Sequence, residues 1–547
     1  MKLDRKGPRQ RTTGLRHLEV RGLGLALTSS LLLVLAFPPF RLLLLPFLAL
    51  VPLAVAIGSL SGTKGSGRTA ARLGLAFGLV HWGVLLVWVP MIVAPQFLWA
   101  VPGYGVQVGL LSGLSAAMAW ATHRLRSWAG LPLFLGFPLA WVSMEWVKAH
   151  FPFGLSFPWL GLGISLSSWP RLLGLAEWTG EAGVAFWLAF VNALVASGVL
   201  FWLRGGDEGG TGKKPWFFVG TALMAGLLPT FLGLARARTL PLEDGPIVAV
   251  VGTNVPRTLK GTPDLASREA LRQAAEAVDD LPPGTVDLVV LPEATIAIPL
   301  DGVQALAYRT TLGGWAAERG SPILVGALGS SRGGGTAEKV SDADSGSLGG
   351  MVTNSAFLVD AEGALIGRYD KQKLVPGMEW GGVEAGGEGV VFSVGSHRFG
   401  PLICYESLFS TLARARARSG AKILVNISSD VWFGAGSSGF FSVFLHQHAA
   451  HLVMRAVETR SSVARAGNGG FSLFLDPRGV RVSSLVPPTG GVARAALTTF
   501  PSTTLYTRTG DLVGPGTFLL LLFLLVRART RLPRTGADFG SRGIGSV

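Results

Sequence analysis

Long apolar runs without charge occupy the first 235 residues of the chain and return once near its end. Each run approaches the ~20 apolar residues that an α-helix needs to cross the hydrocarbon core of a bilayer. They predict seven spans, over residues 22–38, 42–60, 73–93, 100–121, 131–147, 183–203 and 216–235, and an eighth over 512–526. A basic segment precedes the first run, as in a signal peptide, but no small-residue cleavage site follows it, which favours an uncleaved helix.

The pattern changes at Pro246, where short β-branched runs alternate with Gly, Pro and polar turns. Seven runs predict strands, several of them apolar on both faces: IVAVVGTNV, VDLVVLPEA, SPILVGAL, TNSAFLVD, GVVFSVG, RFGPLICYE and KILVNISSD. Two stretches have helical spacing, LASREALRQAAEAVDDL and FLHQHAAHLVMRAVETRSSVARA. This mixture predicts an α/β domain of about 250 residues, with either two covered sheets or one large sheet. The Gly/Ser-rich residues 329–350 are expected to form a mobile surface loop.

Composition and charge place much of the chain in a membrane. Hydrophobic residues make up 49% and charged residues 15%, which excludes an ordinary soluble enzyme. Lys and Arg collect before the first span, in alternate loops and after the eighth span. Because positive charge stays on the cytoplasmic side of short loops, both termini are predicted to be cytoplasmic. The net charge of +15 is therefore mainly topology and membrane-surface charge, and no nucleic-acid motif accompanies it.

The predicted organisation has five parts. They are a cytoplasmic basic N-terminus (1–21), a seven-helix transmembrane domain (22–235), an extracytoplasmic α/β domain (236–510), a C-terminal transmembrane helix (511–527) and a cytoplasmic tail (528–547). The α/β domain falls outside the cytoplasm because an odd number of spans precedes it.

Three reactive groups follow strand-like runs in the α/β domain. Glu293 follows LVVLP, Lys371 follows IGRYD, and Cys404, the only cysteine of the chain, follows GPLI. A carboxylate can take the proton of a thiol, and an ammonium can stabilise both the thiolate and the oxyanion that forms when the thiolate attacks a carbonyl. This spacing is a weak signal by itself, because strand-end charges are common and a lone cysteine is more often a small buried hydrophobic residue.

The motifs around these groups resemble a known family. LPEAT with Glu293, YDKQKLVPGMEW with Lys371 and ICYES with Cys404, in that order, resemble the Glu-Lys-Cys triad of the nitrilase, or carbon-nitrogen hydrolase, superfamily. With its predicted spans, the chain is similar to the apolipoprotein N-acyltransferase family, and FPWLG and NISSDVWFG also look like family segments. The resemblance implies a multi-pass α-helical membrane domain plus a nitrilase-like catalytic α/β domain, an α-β-β-α sandwich.

The resemblance also implies a two-step acyl transfer without a metal or other cofactor. Glu293, as general base, activates Cys404, whose thiolate attacks the sn-1 ester of a phospholipid while Lys371 stabilises the oxyanion. The resulting thioester passes its acyl chain to the α-amine of the N-terminal S-diacylglyceryl-cysteine of an apolipoprotein. The implied location is the bacterial cytoplasmic (inner) membrane, with the catalytic domain on the periplasmic face. Departures from the family pattern at Gly252, Gly261 and Gly377 leave substrate details and turnover open.

Two other functions are compatible with parts of this pattern. A membrane-bound nitrilase-type amidase would resolve the thioacyl intermediate with water, and the triad alone does not exclude it. Eight spans favour the acyltransferase, because they suit substrates that arrive laterally in the bilayer. A transporter with an inactive nitrilase-like domain is disfavoured, because the spans are nearly free of charge and all three triad residues are present.

Three further residues are candidates for supporting the triad. Glu379 resembles a family glutamate close to it. Glu406 is expected to orient Lys371 or the loop that carries it, and Tyr405 is expected to pack or to donate a hydrogen bond. Alternation along a strand places only one of these two neighbours toward the site.

Candidates for substrate contact or lipid access lie elsewhere in the chain. They are Phe157, Pro158, Trp159, Glu145, Asp430 and Trp432. Glu145 and Lys148 either brace the FPWLG loop, contact head groups, or form an i,i+3 pair at the membrane boundary. A metal site at His446, His448 and His451 is not expected, because these spacings do not share a helix face as i,i+4 ligands do.

Overall fold

The computed structural model describes residues 8–63, 65–91, 97–152, 155–204, 216–331, 351–376, 378–379, 382–433 and 441–530. Several regions named above therefore lie outside the described residues: the start of the basic N-terminus (1–7), most of the Gly/Ser-rich segment (332–350), Gly377 and the end of the predicted cytoplasmic tail (531–547).

The N-terminal half is helical, as its apolar runs predict. Its helices are α1 (Pro8–Ala36), α2 (Leu45–Leu48), α3 (Val51–Gly58), α4 (Ser66–Leu85), α5 (Phe97–Ala129), α6 (Leu133–Ala149), α7 (Ala176–Leu203) and α8 (Trp216–Thr239). Within the described part of the chain, three helical segments are long and apolar enough to cross a bilayer: Pro170–Leu203, Phe217–Thr239 and Val513–Thr530. The count of eight spans stays a prediction.

The second predicted span, 42–60, is divided into α2 and α3. Pro46 and Pro52 lie in the first turns of these two short helices, where the missing N–H of proline is tolerated. Asn192 of α7 holds the break between them. Its Oδ1 accepts a hydrogen bond from the N–H of Leu50 at 2.9 Å, and its Nδ2 donates to the carbonyl oxygen of Pro46 at 2.9 Å. The buried backbone groups that lose their helical hydrogen bonds at the break are therefore bonded to the side chain of Asn192 instead.

The C-terminal half contains two sheets. Its strands are β1 (Glu243–Gly252), β2 (Leu288–Val290), β3 (Ile296–Pro299), β4 (Ile323–Ser330), β5 (Val352–Val359), β6 (Leu365–Asp370), β7 (Val383–Glu384), β8 (Phe392–Val394), β9 (His397–Ile403), β10 (Ile423–Ser429), β11 (Ser462–Asn468), β12 (Ser472–Leu475), β13 (Arg481–Leu485) and β14 (Gly491–Thr499). An eight-stranded sheet has the order β14-β1-β2-β4-β5-β6, with β3 beside β4 and β7 beside β5; a six-stranded sheet has the order β13-β12-β11-β10-β9-β8. Each of the seven runs predicted as strands contains one of these strands.

Helices cover the outer faces of both sheets. The remaining helices are α9 (Pro263–Asp279), α10 (Leu306–Arg319), α11 (Ser410–Arg418), α12 (Phe441–Thr459), α13 (Leu505–Thr509) and α14 (Val513–Thr530). Successive side chains of β1 point to opposite faces of the eight-stranded sheet. Val248 and Val250 pack against the six-stranded sheet, while Ala249 and Val251 pack against α9 and α10. On the other side, α11 and α12 cover the six-stranded sheet. The predicted α-β-β-α sandwich is confirmed.

The helix predicted from Phe444 through Ala466 ends earlier than its pattern indicates. Helix α12 stops at Thr459, and SVARA (462–466) lies in β11, whose residues are all buried between β10 and β12. Arg460 makes the turn with a left-handed backbone (φ +52°). Its Nε donates to Glu177 of α7 at 2.6 Å, so a contact with the N-terminal half fixes the end of this helix.

One buried apolar cluster joins the two halves of the molecule. It continues from α1, α3 and α7 into α11, α12 and the outer face of the six-stranded sheet. The helical half therefore packs against the layer that contains α12, and this places the carboxyl end of β9 close to it.

Candidate active site

Cys404 lies at a sharp turn directly after β9. The strand ends at Ile403, Cys404 has a left-handed backbone (φ +50°), and a 3₁₀ turn runs from Cys404 to Leu408. This conformation is strained for a residue with a side chain, and such strain concentrates at functional sites. The strand that the sequence predicted through Glu406 is therefore wrong after Ile403, and strand alternation does not apply to Tyr405 and Glu406.

Glu293 lies at the equivalent end of β2 in the other sheet. Its Oε1 accepts hydrogen bonds from Nδ2 of Asn354 at 2.8 Å and from Nζ of Lys371 at 3.1 Å. Its Oε2 accepts from the backbone N–H of Ser429 at 2.8 Å. Both oxygens are thus fixed, by groups from the end of β10, from β5 and from the residue after β6.

The ammonium of Lys371 lies between two carboxylates. It is 1% exposed, and Nζ donates to Oε1 of Glu293 at 3.1 Å and to Oε1 of Glu379 at 2.9 Å. Burial alone would lower the pKa of Lys371, but Glu293 and Glu379 reverse this effect and raise its pKa above the usual value. Lys371 is therefore a permanent cation at neutral pH. Asn354 also donates to Glu379, at 2.9 Å, so these groups form one network.

The thiol of Cys404 is protonated at rest. Burial first, and then the negative charge of Glu293, raise its pKa well above the usual value for cysteine, while Lys371 opposes the shift. The thiol therefore needs a base when it reacts. Glu293 and Lys371 both act on Cys404 electrostatically, so the structure brings the three residues predicted from the motifs into one site.

Glu406 fixes the loop that carries Lys371. Its Oε1 accepts from the hydroxyl of Tyr369 at 2.7 Å and from the N–H groups of Gln372 and Lys373 at 2.7 and 3.2 Å. Its Oε2 accepts from the N–H of Ile403 at 2.7 Å. One buried carboxylate therefore ties the Lys371 loop to the turn before Cys404, which agrees with the expectation that Glu406 orients this loop.

Tyr405 faces a different direction from Glu406. Its hydroxyl donates to the carbonyl oxygen of Ser156 at 3.1 Å, across to the segment that connects α6 and α7. Its ring meets that of Phe409 edge-on, with ring centroids 5.2 Å apart. Tyr405 thus both packs and donates a hydrogen bond.

Asp430 does not lie at the pocket wall, where it was expected. It is fully buried below the site, where Arg465 donates to its Oδ2 at 2.6 Å. Burial would raise the pKa of Asp430, but Arg465 outweighs this effect and holds the pKa far below the usual range. A carboxylate with this partner is sequestered from substrate. The side chain of Trp432 lies outside the described residues.

The structural role of His448 is not predicted by the sequence pattern. Its Nε2 lies 3.2 Å from the carbonyl oxygen of Cys404, and since a carbonyl only accepts, Nε2 carries the proton. Nδ1 lies 3.2 Å from both Nη2 of Arg465 and Oδ1 of Asp430. Burial, and then Arg465, lower the pKa of His448, so the ring is neutral. The role of Asn354 was missed too, although an isolated Asn in the buried run TNSAF was a signal for it.

A largely apolar cavity of about 460 Å³ opens from Cys404 toward the helical half. Its wall includes Cys404, Tyr405 and His448 from the α/β half, and Leu111 and Leu114 from α5. Of the residues proposed for lipid access, Phe157 and Trp159 also line this cavity.

Glu145 and Pro158 line a second, smaller cavity instead of the one at Cys404. The Oε1 of Glu145 accepts from Nε1 of Trp141 at 3.0 Å and from the N–H of Leu162 at 2.7 Å. Lys148 donates to the carbonyl oxygen of Trp159 at 2.7 Å. Both residues thus brace the FPWLG segment, the first of the three alternatives, instead of pairing with each other.

Comparisons with known proteins agree with this architecture. Residues 29–194 match the family profile described as the apolipoprotein N-acyltransferase N-terminal domain, and residues 247–507 match the profile described as carbon-nitrogen hydrolase. The chain is 30% identical over 483 residues to the apolipoprotein N-acyltransferase of Geobacter metallireducens, covering 83% of this chain and 85% of that protein. It is 28% identical over 460 residues to the apolipoprotein N-acyltransferase of Brucella melitensis, covering 78% and 80%.

Proposed function

Because this chain belongs to the apolipoprotein N-acyltransferase family, we propose that Glu293, Lys371 and Cys404 carry out its acyl transfer through a thioester. The protein is a membrane enzyme of lipoprotein N-acylation, with phospholipid and lipoprotein as its general substrates. The finer assignments are the sn-1 acyl chain as the group transferred and an N-terminal S-diacylglyceryl-cysteine as the acceptor.

The first half-reaction forms the thioester. Glu293 takes the thiol proton of Cys404, and the thiolate attacks the sn-1 ester carbonyl of the phospholipid. The ammonium of Lys371 stabilises the oxyanion of the tetrahedral intermediate. The C–O bond then breaks, Glu293 returns the proton to the departing oxygen, and lysophospholipid leaves.

The second half-reaction transfers the acyl chain. The uncharged α-amine of the acceptor attacks the thioester carbonyl, and Glu293 takes a proton from the nitrogen as the C–N bond forms. The C–S bond breaks, and the sulfur regains this proton from Glu293. Neither half-reaction requires a metal or another cofactor.

One observation carries this proposal: a single cavity is lined both by the reactive cysteine and by apolar residues of α5 in the helical half. An acyl chain of a bilayer lipid is mostly apolar surface, which such a wall removes from water. An amidase acting on a soluble substrate has no use for a cavity that reaches the helices.

The proposed orientation follows from the distribution of charge in the sequence. The catalytic α/β half lies on the periplasmic face of the bacterial inner membrane, both termini are cytoplasmic, and eight spans cross the bilayer. Positive charge before the first span and after the last supports this arrangement.

Intact-mass analysis after incubation with a defined phosphatidylethanolamine tests the proposal. The natural chain gains one acyl mass, which neutral hydroxylamine removes, and Cys404→Ser gains none. Lysophospholipid release without an adduct in the folded natural chain contradicts the acyltransferase and favours an amidase, because water then resolves the intermediate. An adduct that persists in Cys404→Ser contradicts the assigned nucleophile.

A further inference from the structure

A basic cluster lies outside the catalytic cavity, where the two halves of the molecule meet. It consists of Arg41, from the segment between α1 and α2, His446 of α12 and Arg481 of β13, and is called the Arg41 cluster below. His446 is two positions from both Phe444 and His448, which line the catalytic cavity. Two positions correspond to about 200° around an α-helix, so His446 faces away from the cavity.

The geometry of Arg41 indicates a role beyond packing. Its backbone is left-handed (φ +61°), an uncommon and strained conformation for arginine. Its Nη2 donates to Nδ1 of His446 at 2.6 Å, whereas its Nε is buried without a hydrogen-bond partner. A buried N–H without an acceptor is costly and suggests a ligand that supplies one.

His446 supplies a second donor. Because a guanidinium can only donate, Nδ1 of His446 accepts and the ring proton is on Nε2. Burial, and then Arg41 and Arg481, lower the pKa of His446 to about 4, so the ring is neutral at physiological pH.

The positive charge of the cluster is not neutralised by protein. Among the described residues, no ion pair joins Arg41, His446 or Arg481 to a carboxylate. Arg481 is exposed, lies over the ring of Phe471 at 5.8 Å, and lowers the pKa of Arg41 after the larger effect of burial. The ring of His446 also lies against Phe471, with ring centroids 5.0 Å apart, so one phenylalanine contacts two members of the cluster. Guanidiniums gathered without a protein counter-charge favour an anion.

The surroundings of the cluster identify the kind of anion. Phe40, Leu42 and Leu44, beside Arg41 in the chain, are 55%, 50% and 68% exposed. Basic donors next to exposed apolar side chains match the phosphate and the acyl chains of one phospholipid molecule. Leu42 and Leu44 lie in the second predicted span, so an anion at this surface is expected to be the phosphate of a bilayer lipid.

We propose that the Arg41 cluster binds the phosphate of a bilayer phospholipid, whose acyl chains lie along Phe40, Leu42 and Leu44. This lipid is bound at a second site, separate from the donor lipid at Cys404, and the proposal is independent of the thioester mechanism. Arg41 and Arg481 contact the phosphate oxygens, and Nε2 of His446 donates to one of them.

Native mass spectrometry of delipidated protein tests this site. All proteins carry Cys404→Ser, so that no acyl adduct consumes lipid, and they are titrated with phosphatidylglycerol or with diacylglycerol of the same chains. Arg41→Gln/Arg481→Gln is compared with Arg268→Gln/Arg272→Gln, which removes two exposed arginines of α9. We expect the first pair to weaken one phosphatidylglycerol site by about tenfold or more, as for the loss of charge-assisted hydrogen bonds, and the control pair to change nothing.

Each remaining outcome decides the question. If the two double variants bind phosphatidylglycerol equally well, the proposed site is overturned. If the first double variant loses diacylglycerol binding as strongly as phosphatidylglycerol binding, recognition of the phosphate is overturned. Displacement of the lipid by millimolar inorganic phosphate assigns the site to a free anion instead. Arg481→Gln alone changes an exposed side chain and preserves the fold, so it must show a partial loss even if the double variant is unstable.

Discussion

At the scale of residues, the distribution of charge around Cys404 explains how a protonated thiol would become the nucleophile of the proposed mechanism. Proton transfer from Cys404 to Glu293 moves one negative charge from a carboxylate to a sulfur, and Lys371 interacts with both positions. The total charge of the buried site is unchanged by this step, so no uncompensated charge is created in a region of low dielectric. Glu379 supplies the additional carboxylate that keeps Lys371 protonated.

The role of Glu379 predicts a change in the pH profile. Glu293 and Glu379 together raise the pKa of Lys371, so removing one of them lowers it. Glu379→Gln is expected to reduce the rate of thioester formation by about tenfold and to move the alkaline limb of the profile to lower pH, because the ammonium is lost sooner. Thioester formation measured by intact mass checks this, over a pH range that extends above the usual lysine pKa of about 10.4. Glu362→Gln, which changes an exposed glutamate, is the control and should leave the alkaline limb of the pH profile in place. If the alkaline limb also stays in place in Glu379→Gln, Glu379 does not act through Lys371.

At the scale of elements, the site is assembled where strands of both sheets end. Glu293 follows β2, Lys371 follows β6 and Cys404 follows β9, and the side chain of Asn354 in β5 links the two carboxylates that flank the lysine. Side chains at such ends are held in place by rigid neighbouring strands, which suits catalysis.

Close packing of β4 against the turn at Glu293 makes Gly326 a critical residue of that strand. A Cβ at Gly326 would lie 2.5 Å from Cα of Glu293 and 2.5 Å from the carbonyl oxygen of Pro292. Both are backbone atoms, so Gly326→Ala must shift the base. We expect a loss of about 1–3 kcal/mol in the free energy of unfolding and a fall in thioester formation.

A matched control is Gly314→Ala in α10, where a Cβ meets nothing within 4 Å. Removing a helical glycine there is expected to stabilise the fold by about 0.5–1 kcal/mol and to leave activity unchanged. Thermal unfolding and acyl-adduct formation measure both effects. Natural activity in Gly326→Ala would mean that the position of Glu293 tolerates displacement.

At the scale of the whole molecule, the catalytic cavity exists only because the two halves are held in one arrangement. Gln447 of α12 makes this connection: its Oε1 accepts from Nε1 of Trp88 at 3.0 Å and from Nε1 of Trp159 at 2.9 Å, while its Nε2 donates to the carbonyl oxygen of Leu85 at 3.2 Å. Trp88 and Trp159 both line the cavity, so this amide fixes part of its wall.

Gln447→Leu is predicted to loosen the junction between the halves. The substitution removes the acceptor of two buried indole N–H groups, at an expected cost of about 2–5 kcal/mol in the free energy of unfolding. Thioester formation should slow while the residual activity keeps its dependence on pH, because the triad is not altered. Trp88→Phe, which removes one of the two indole donors, should lie between the natural chain and Gln447→Leu in thermal unfolding. Equal stability of the natural chain and Gln447→Leu would exclude Gln447 as a structural link.

Sequence by itself determined the features that depend on local chemistry. Apolar runs gave the positions of the helices in the first half, short β-branched runs gave the strands around β1, β2 and β9, and the motifs at Glu293, Lys371 and Cys404 gave the reactive groups. These features are encoded locally, because burial periodicity and the residues next to a catalytic group are properties of a short segment.

Tertiary structure alone decided the rest. Three features depend on partners that are distant in the sequence and that a local pattern does not contain. They are the break between α2 and α3, the end of α12 at Thr459 and the burial of Asp430 against Arg465. Glu293 receives the N–H of Ser429 from 136 positions away, and Trp88 meets Gln447 across 359 positions. The cavity and its apolar wall form through such distant contacts, since packing free energy depends on which surfaces meet and not on their order along the chain.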